Sequence, residues 1–175
     1  MESKELIDDE IILPELLFLE DYYGNYDLYI DAVYEAFKKD FVDNKPLFKG
    51  KRKLSLKKHP IYQEREYTFY HVTHTGNDEA NRTPDLRRCE RIKWFSPIIE
   101  KCEEWGLKVW EQDRKGKKRI CIWLELEESP DVVIVLDDRE KYILFWTAFT
   151  LEYNHEIKKK QKEYETYLKA KTAQR

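Results

Sequence analysis

The chain has 175 residues, of which 38% are charged, 41% hydrophobic and 14% aromatic, with a net charge of −3. That length suits one domain with a real core, and so high an aromatic content excludes a disordered chain. No apolar run approaches the roughly 18 residues of a membrane span, and the three cysteines, Cys89, Cys102 and Cys121, form no CxxC pair. With no signal peptide evident, a reducing, cytoplasmic setting is expected.

The charge is uneven. Residues 1–35 hold eleven acids and one lysine, or −10, so the remainder carries +7. A basic body suits a polyanionic partner. The expected division is an acidic lead over 1–24 and a single domain over 25–175.

Pro14 can open a short helix through Leu16, Leu17 and Phe18 before Gly24-Asn25 breaks it. From Asp27 the residues Leu28, Ile30, Val33, Tyr34, Phe37 and Phe41 recur at helical spacing, which predicts a helix ending near Asp43-Asn44. The segment KGKRKLSLKK (49–58) alternates around Leu54 and Leu56, as a half-buried strand does. Its Lys51, Arg52 and Lys53 are candidate nucleic-acid contacts. Glu64 to Thr73 reads as a second strand, rich in residues that favour pleated surfaces, and a turn follows at Gly76-Asn77-Asp78.

A helix is predicted to open near Thr83-Pro84-Asp85. Its stripe of Leu86, Cys89, Ile92, Phe95, Ile99 and Cys102 is expected to be buried, with a kink or a break near Phe95-Ser96 imposed by Pro97. Four strands follow, at Leu107–Gln112, Arg119–Glu127, Val132–Leu136 and Lys141–Phe149, joined by short polar turns. A last helix over about 154–170 docks through Ile157, Tyr164 and Leu168. The fold class expected is α+β: helices first, an antiparallel four-stranded meander with an additional β-hairpin, and a C-terminal helix packed on the sheet.

Several chemistries lack their signatures. There is no P-loop, GxGxxG or GxSxG, so no nucleotide cofactor is expected. His71 and His74, three apart in an expected strand, point to opposite faces and suit no shared metal. Acid–base chemistry on a phosphodiester remains. Histidine can move protons near neutrality, and arginine can hold phosphate through its bidentate fork. The candidates are His71, His74 and His155 for proton transfer, with Arg91 and Arg139 on the scissile phosphate. Thr147 would orient one of its oxygens from the face shared by Ile143 and Phe145. Arg87 and Arg88 would bind the nucleic acid alongside.

The motifs YTFYHVTHTG, RTPDLRRCERIKWFSPIIE, KRICIWLE and VVIVLDDREKYILFWTAFTLEYNHEIKKK carry a resemblance. Over about residues 30–165 the chain resembles the phage- and mobile-element-associated nucleases of the barnase–EndoU–colicin–RelE superfamily. The match rests on the strand-end His71, on Glu90-Arg91 with Trp94, and on Thr147-Ala148-Phe149. The resemblance implies a metal-independent endoribonuclease, often toxin-like, acting on RNA through His71, Arg91 and Thr147, with Arg139 and His155 beside them. An antitoxin or immunity protein would be the partner of such a toxin. The rival expectation is a non-catalytic nucleic-acid- or protein-binding accessory protein of a phage or mobile element.

Overall fold

The computed structural model describes residues 11–76, 78 and 81–174. Residues 11–18 are not helical, and only a short 3₁₀ turn, Leu19–Tyr22, forms after Pro14. The described part of the acidic lead is strapped to the body all the same. Leu17 donates its amide to the Glu90 carbonyl at 3.0 Å. Trp94 Nε1 donates to the Pro14 carbonyl at 2.7 Å, and the Tyr29 hydroxyl to that of Leu17 at 2.7 Å. Leu13, Leu16 and Leu19 pack on the core, so the packing continues across the boundary expected at residue 24.

Helix α1 (Tyr26–Phe37) starts where Asn25 accepts the Leu28 amide at 3.2 Å, and it continues as a wider π-helical turn over Lys38–Asp43. Its stripe of Tyr29, Ile30, Val33 and Phe37, extended by Phe41, is buried. The aromatic stretch expected to be a strand is helix α2 (Tyr67–Thr73). Its buried positions Thr68, Phe69, Val72 and Thr73 follow helical spacing, and this tertiary fit overrides the β-propensity of Tyr, Thr, Phe and Val. A two-residue ladder, β3 (His74–Thr75) with β4 (Thr83–Pro84), follows. Asn77 of the expected turn lies outside the described residues.

The helix expected to kink or break near Phe95-Ser96 divides earlier. Helices α3 (Leu86–Glu90) and α4 (Ile92–Lys101) are broken at Arg91, with φ −99° and ψ 12°, not at Phe95. Asp85 caps α3 by accepting the Arg88 amide at 3.3 Å. Pro97 is carried inside α4, where it deprives only the Lys93 carbonyl of its usual donor.

The sheet has six strands in the order β1-β2-β8-β7-β6-β5: β1 (Leu47–Phe48), β2 (Arg52–Ser55), β5 (Lys108–Arg114), β6 (Lys117–Leu124), β7 (Asp131–Asp138) and β8 (Ile143–Leu151). It is mixed rather than a purely antiparallel four-stranded sheet, because β2 runs parallel to β8. That pairing covers only Leu54↔Ile143 and Ser55↔Leu144, since β2 ends at Ser55. The fold class is α+β.

Alternation splits the strands between two cores. Ile120, Ile122, Leu124, Val132, Ile134, Leu136, Ile143 and Phe145 face helices α1 to α4. Trp110, Cys121, Trp123, Val133 and Leu151 face the other way, under α5 (Asn154–Ala173), which brings Ile157, Tyr164 and Tyr167. Helix α5 therefore crosses a sheet face. Among the described residues no helix is long and apolar enough to cross a membrane.

Asp131 ties the second core to its turn. One carboxylate oxygen accepts Trp123 Nε1 at 3.0 Å and the other the Leu126 amide at 2.8 Å, with the aspartate itself buried. Asp131→Ala is expected to cost about 2–4 kcal/mol, because it orphans a buried indole donor and an amide. Asp131→Asn, which keeps one acceptor, should cost less. Urea denaturation checks this; equal losses for the two variants would contradict it.

Candidate functional site

The open half of the α5-side sheet face carries the most concentrated chemistry. Beyond the helix, a cavity of about 280 Å³ is lined by Gln112, Arg114, Arg119, Trp146, Thr147 and Lys160, with Cys121, Val135 and Phe149 beneath. Its wall holds three cations, of which Lys160 and Arg114 pair with Glu163 at 3.0 and 3.8 Å. Burial pushes the Cys121 thiol up to about 11, so it stands there as a neutral thiol.

Arg119 is the central group. Strand β6 places it opposite Asp137 in register, and its Nε lies 3.8 Å from that carboxylate. Its guanidinium carbon sits 4.0 Å from the Trp146 ring centroid, a cation–π distance. The residue is 8% exposed, and its Nη1 has no hydrogen-bond partner. Burial lowers its pKa from the ordinary arginine value and the Asp137 charge opposes that. Arg119 thus carries a buried donor with no hydrogen-bond partner beside a cavity that Arg114 and Lys160 also line.

A β-bulge builds the floor. Val135 pairs with Thr147 and Leu136 with Phe145, which leaves Trp146 as the extra residue of β8. The bulge also reverses the alternation. Ala148, not Thr147, joins Ile143 and Phe145 in the core under α1 to α4. Thr147 therefore lines the cavity on the opposite face from the one expected. Its hydroxyl donates to the His71 carbonyl at 3.1 Å, and the His71 ring lies 4.8 Å from that of Trp146. Arg139, beyond the end of β7, donates to Asp137 at 2.7 Å. His71, Thr147, Arg139, Arg119 and Trp146 thus form one neighbourhood.

The other anticipated residues fall elsewhere. Arg91 is 3% exposed and committed to structure: it donates to the Arg87 carbonyl at 3.0 Å, Glu90 at 3.1 Å and Ser129 at 3.0 Å, and lies against Trp94. It pins the α3–α4 break to the β6–β7 turn. Arg88 donates to the His74 carbonyl at 2.8 Å and pairs with Asp85 at 3.2 Å. Arg87 is exposed and pairs with Glu90 and Glu152 at 3.4 Å each. His155 is exposed, its ring stacked on Tyr153. Arg139 follows the residue paired with the first residue of β8, whereas His155 follows the strand's end. The nine residues between span roughly 26 Å at about 3.3 Å each, so the two cannot hold one phosphate. Arg52 is bound to Asp138 through two bonds of 3.2 and 3.0 Å, which pull that carboxyl below the usual range. Lys51 and Lys53 are exposed at the same end of the sheet.

Arg114, Arg119, Trp146 and Lys160 were not anticipated. One signal existed: Arg119 stands at the head of an apolar strand, and the next strand carries Asp137 at the matching place. Lys160 had none, because its helix presents lysines on every side.

His74 does not share the cavity. It is 7% exposed between Thr73, Phe69 and Tyr70. Burial, then Arg82, Arg88 and Arg65, lower its pKa to about 4 from 6.5. The unfolded chain therefore takes up a proton near pH 6.5 that the folded chain refuses until about pH 4. Stability should fall as pH drops through that window, by on the order of 3 kcal/mol at 1.36 kcal/mol per unit, and level off below it. Urea titrations at pH 7, 6, 5 and 4 should show this slope in the wild type and a flatter one in His74→Phe; parallel slopes would refute it. No family model matches the chain, and no curated protein or solved structure is significantly similar to it.

Proposed function

We propose that this chain binds RNA across the open half of its sheet, with a backbone phosphate seated on Arg119. The observation that carries this reading is the unused Nη1 of a guanidinium nine-tenths buried in a cavity walled by Arg114 and Lys160. Arginine and lysine side chains attract phosphate, and a bidentate guanidinium fixes its orientation. Trp146, already flanked by Arg119, offers an aromatic edge beside the phosphate seat, as single-strand binders do. Lys51, Lys53 and Arg139 extend the basic surface along the hairpin end of the sheet.

Cleavage is a second reading, favoured by the His71 ring against Trp146. Imidazole is suited to accept a proton near neutrality. It would take the 2′-hydroxyl proton as that oxygen attacks phosphorus. The 5′-oxygen would leave with a proton from water, giving a 2′,3′-cyclic phosphate and a free 5′-hydroxyl. Arg119 would stabilise the charge gained in the transition state. This is the chemistry of the metal-independent ribonucleases the sequence resembles, with Arg119 in the role expected of Arg91 and water in the role expected of a second histidine.

Arg119→Met is expected to weaken single-stranded RNA binding about 10- to 100-fold, as loss of a charge-assisted contact does, and to reduce the salt slope by about one phosphate. Unchanged affinity would remove the proposal. If cleavage occurs, its rate in EDTA should rise with pH through one ionisation to a plateau and vanish in His71→Ala, which still binds. A bell-shaped profile, or activity surviving that substitution, would overturn the assignment of His71. Absence of cleavage by the wild type across several RNAs would leave binding alone.

A further inference from the structure

A second cavity, of about 470 Å³, opens on another face of α2. Its walls are aromatic and its polar groups few: Ile61, Tyr62, Tyr67 and Tyr70 surround His74 and Arg82. The wall is braced, because the Tyr70 hydroxyl donates to the Tyr62 carbonyl at 2.9 Å and the two rings meet edge-on at 5.6 Å. Ile61 and Tyr62 are nonetheless 53% and 63% exposed, an unusual display of apolar surface beside a cavity.

The hydrogen bonds assign the tautomer of His74. The Thr73 hydroxyl has one proton, and it donates that proton to the Phe69 carbonyl at 2.6 Å. Its 2.8 Å contact with His74 Nδ1 must therefore run from the ring N–H to the hydroxyl oxygen. In the neutral ring Nε2 is then the acceptor, on a side chain that lines the aromatic cavity. Arg82 supplies the opposite function there. Its Nε is buried without a partner, and its guanidinium lies 5.9 Å from the Tyr67 ring.

A fixed acceptor beside a cationic donor, between tyrosine faces, selects a flat ring with an N–H next to a carbonyl. We propose that this cavity is a nucleobase subsite for such an oxo–imino edge, guanine first and uracil second. His74 Nε2 accepts the ring N–H, Arg82 donates to the oxo group, and a tyrosine ring stacks. Guanine ranks first because O6 and N7 together match the guanidinium fork. Adenine and cytosine place a ring lone pair where the edge needs an N–H. The proposal rests on the RNA reading for its biological sense, since Tyr67 lines this cavity while its ring lies 5.4 Å from that of His71, at the rim of the phosphate seat. The base of a bound strand would be read here while its backbone lies on Arg119.

The test uses the four plain nucleosides, which lack phosphate and so probe this cavity alone. Titration of the full chain, followed by NMR of the His74 and tyrosine ring signals, should show guanosine and uridine saturating at least tenfold below adenosine and cytidine. His74→Phe should erase that preference, and Tyr62→Ala, on the exposed loop, should weaken all four. Arg119→Met should leave nucleoside binding unchanged. Equal affinity for the four, no saturation by any at millimolar concentration, or a preference surviving His74→Phe would overturn the proposal. Nucleoside selectivity in a chain whose RNA affinity ignores Arg119 would uphold this subsite while removing the phosphate seat. Arg119-dependent RNA binding with indifferent nucleosides would do the reverse.

Discussion

The free edge of β8 governs this structure. On one side β8 is laddered to β7 along its length; on the other, β2 reaches only its first two residues. An uncovered edge leaves backbone donors and acceptors unsatisfied and invites strand addition. Helix α2 is packed against β8, and the Thr147 hydroxyl ties the two by donating to the His71 carbonyl. The bulge at Trp146 makes this possible, since without it Thr147 would point into the core below α1 to α4.

From that contact the placement of the functional groups follows. Packing α2 along β8 sets His71 against Trp146 and turns Tyr67, Tyr70 and His74 toward the loop at 60–62. The bulged tryptophan lies against Arg119, which reaches it from two strands away. One helix therefore stands between a cationic cavity on the sheet and an aromatic cavity off it. The same packing makes His74 a neutral acceptor, because Thr73 can spend its only proton on the helix.

Much of the fold was legible where period and punctuation agreed. The stripe of α1, the polar turns around β5 to β8 and the charged terminal helix all read directly, because each element satisfies its own periodicity. The residues of α2 misled because tyrosine, threonine, phenylalanine and valine are strand formers; their buried positions 68, 69, 72 and 73 show the helical period only once the burial is known. The site was less legible. His71, Thr147 and Arg139 come together, while Arg91, equally basic in sequence, is consumed by Glu90, Ser129 and the Arg87 carbonyl. Nothing local distinguishes an arginine that braces a turn from one left with an unbonded donor.

The sequence by itself determined the α+β class, the order of most elements and a body of net positive charge behind an acidic lead, since these depend on composition and on short-range periodicity. Only the tertiary structure decided which charges are spent and which are free. Pairing across a sheet and packing of α2 on a strand edge join residues far apart in the chain, Leu54 to Ile143 and His71 to Thr147. A single bulged residue then chooses the face on which a hydroxyl appears. Those are long-range choices of register and burial, and no local pattern encodes them.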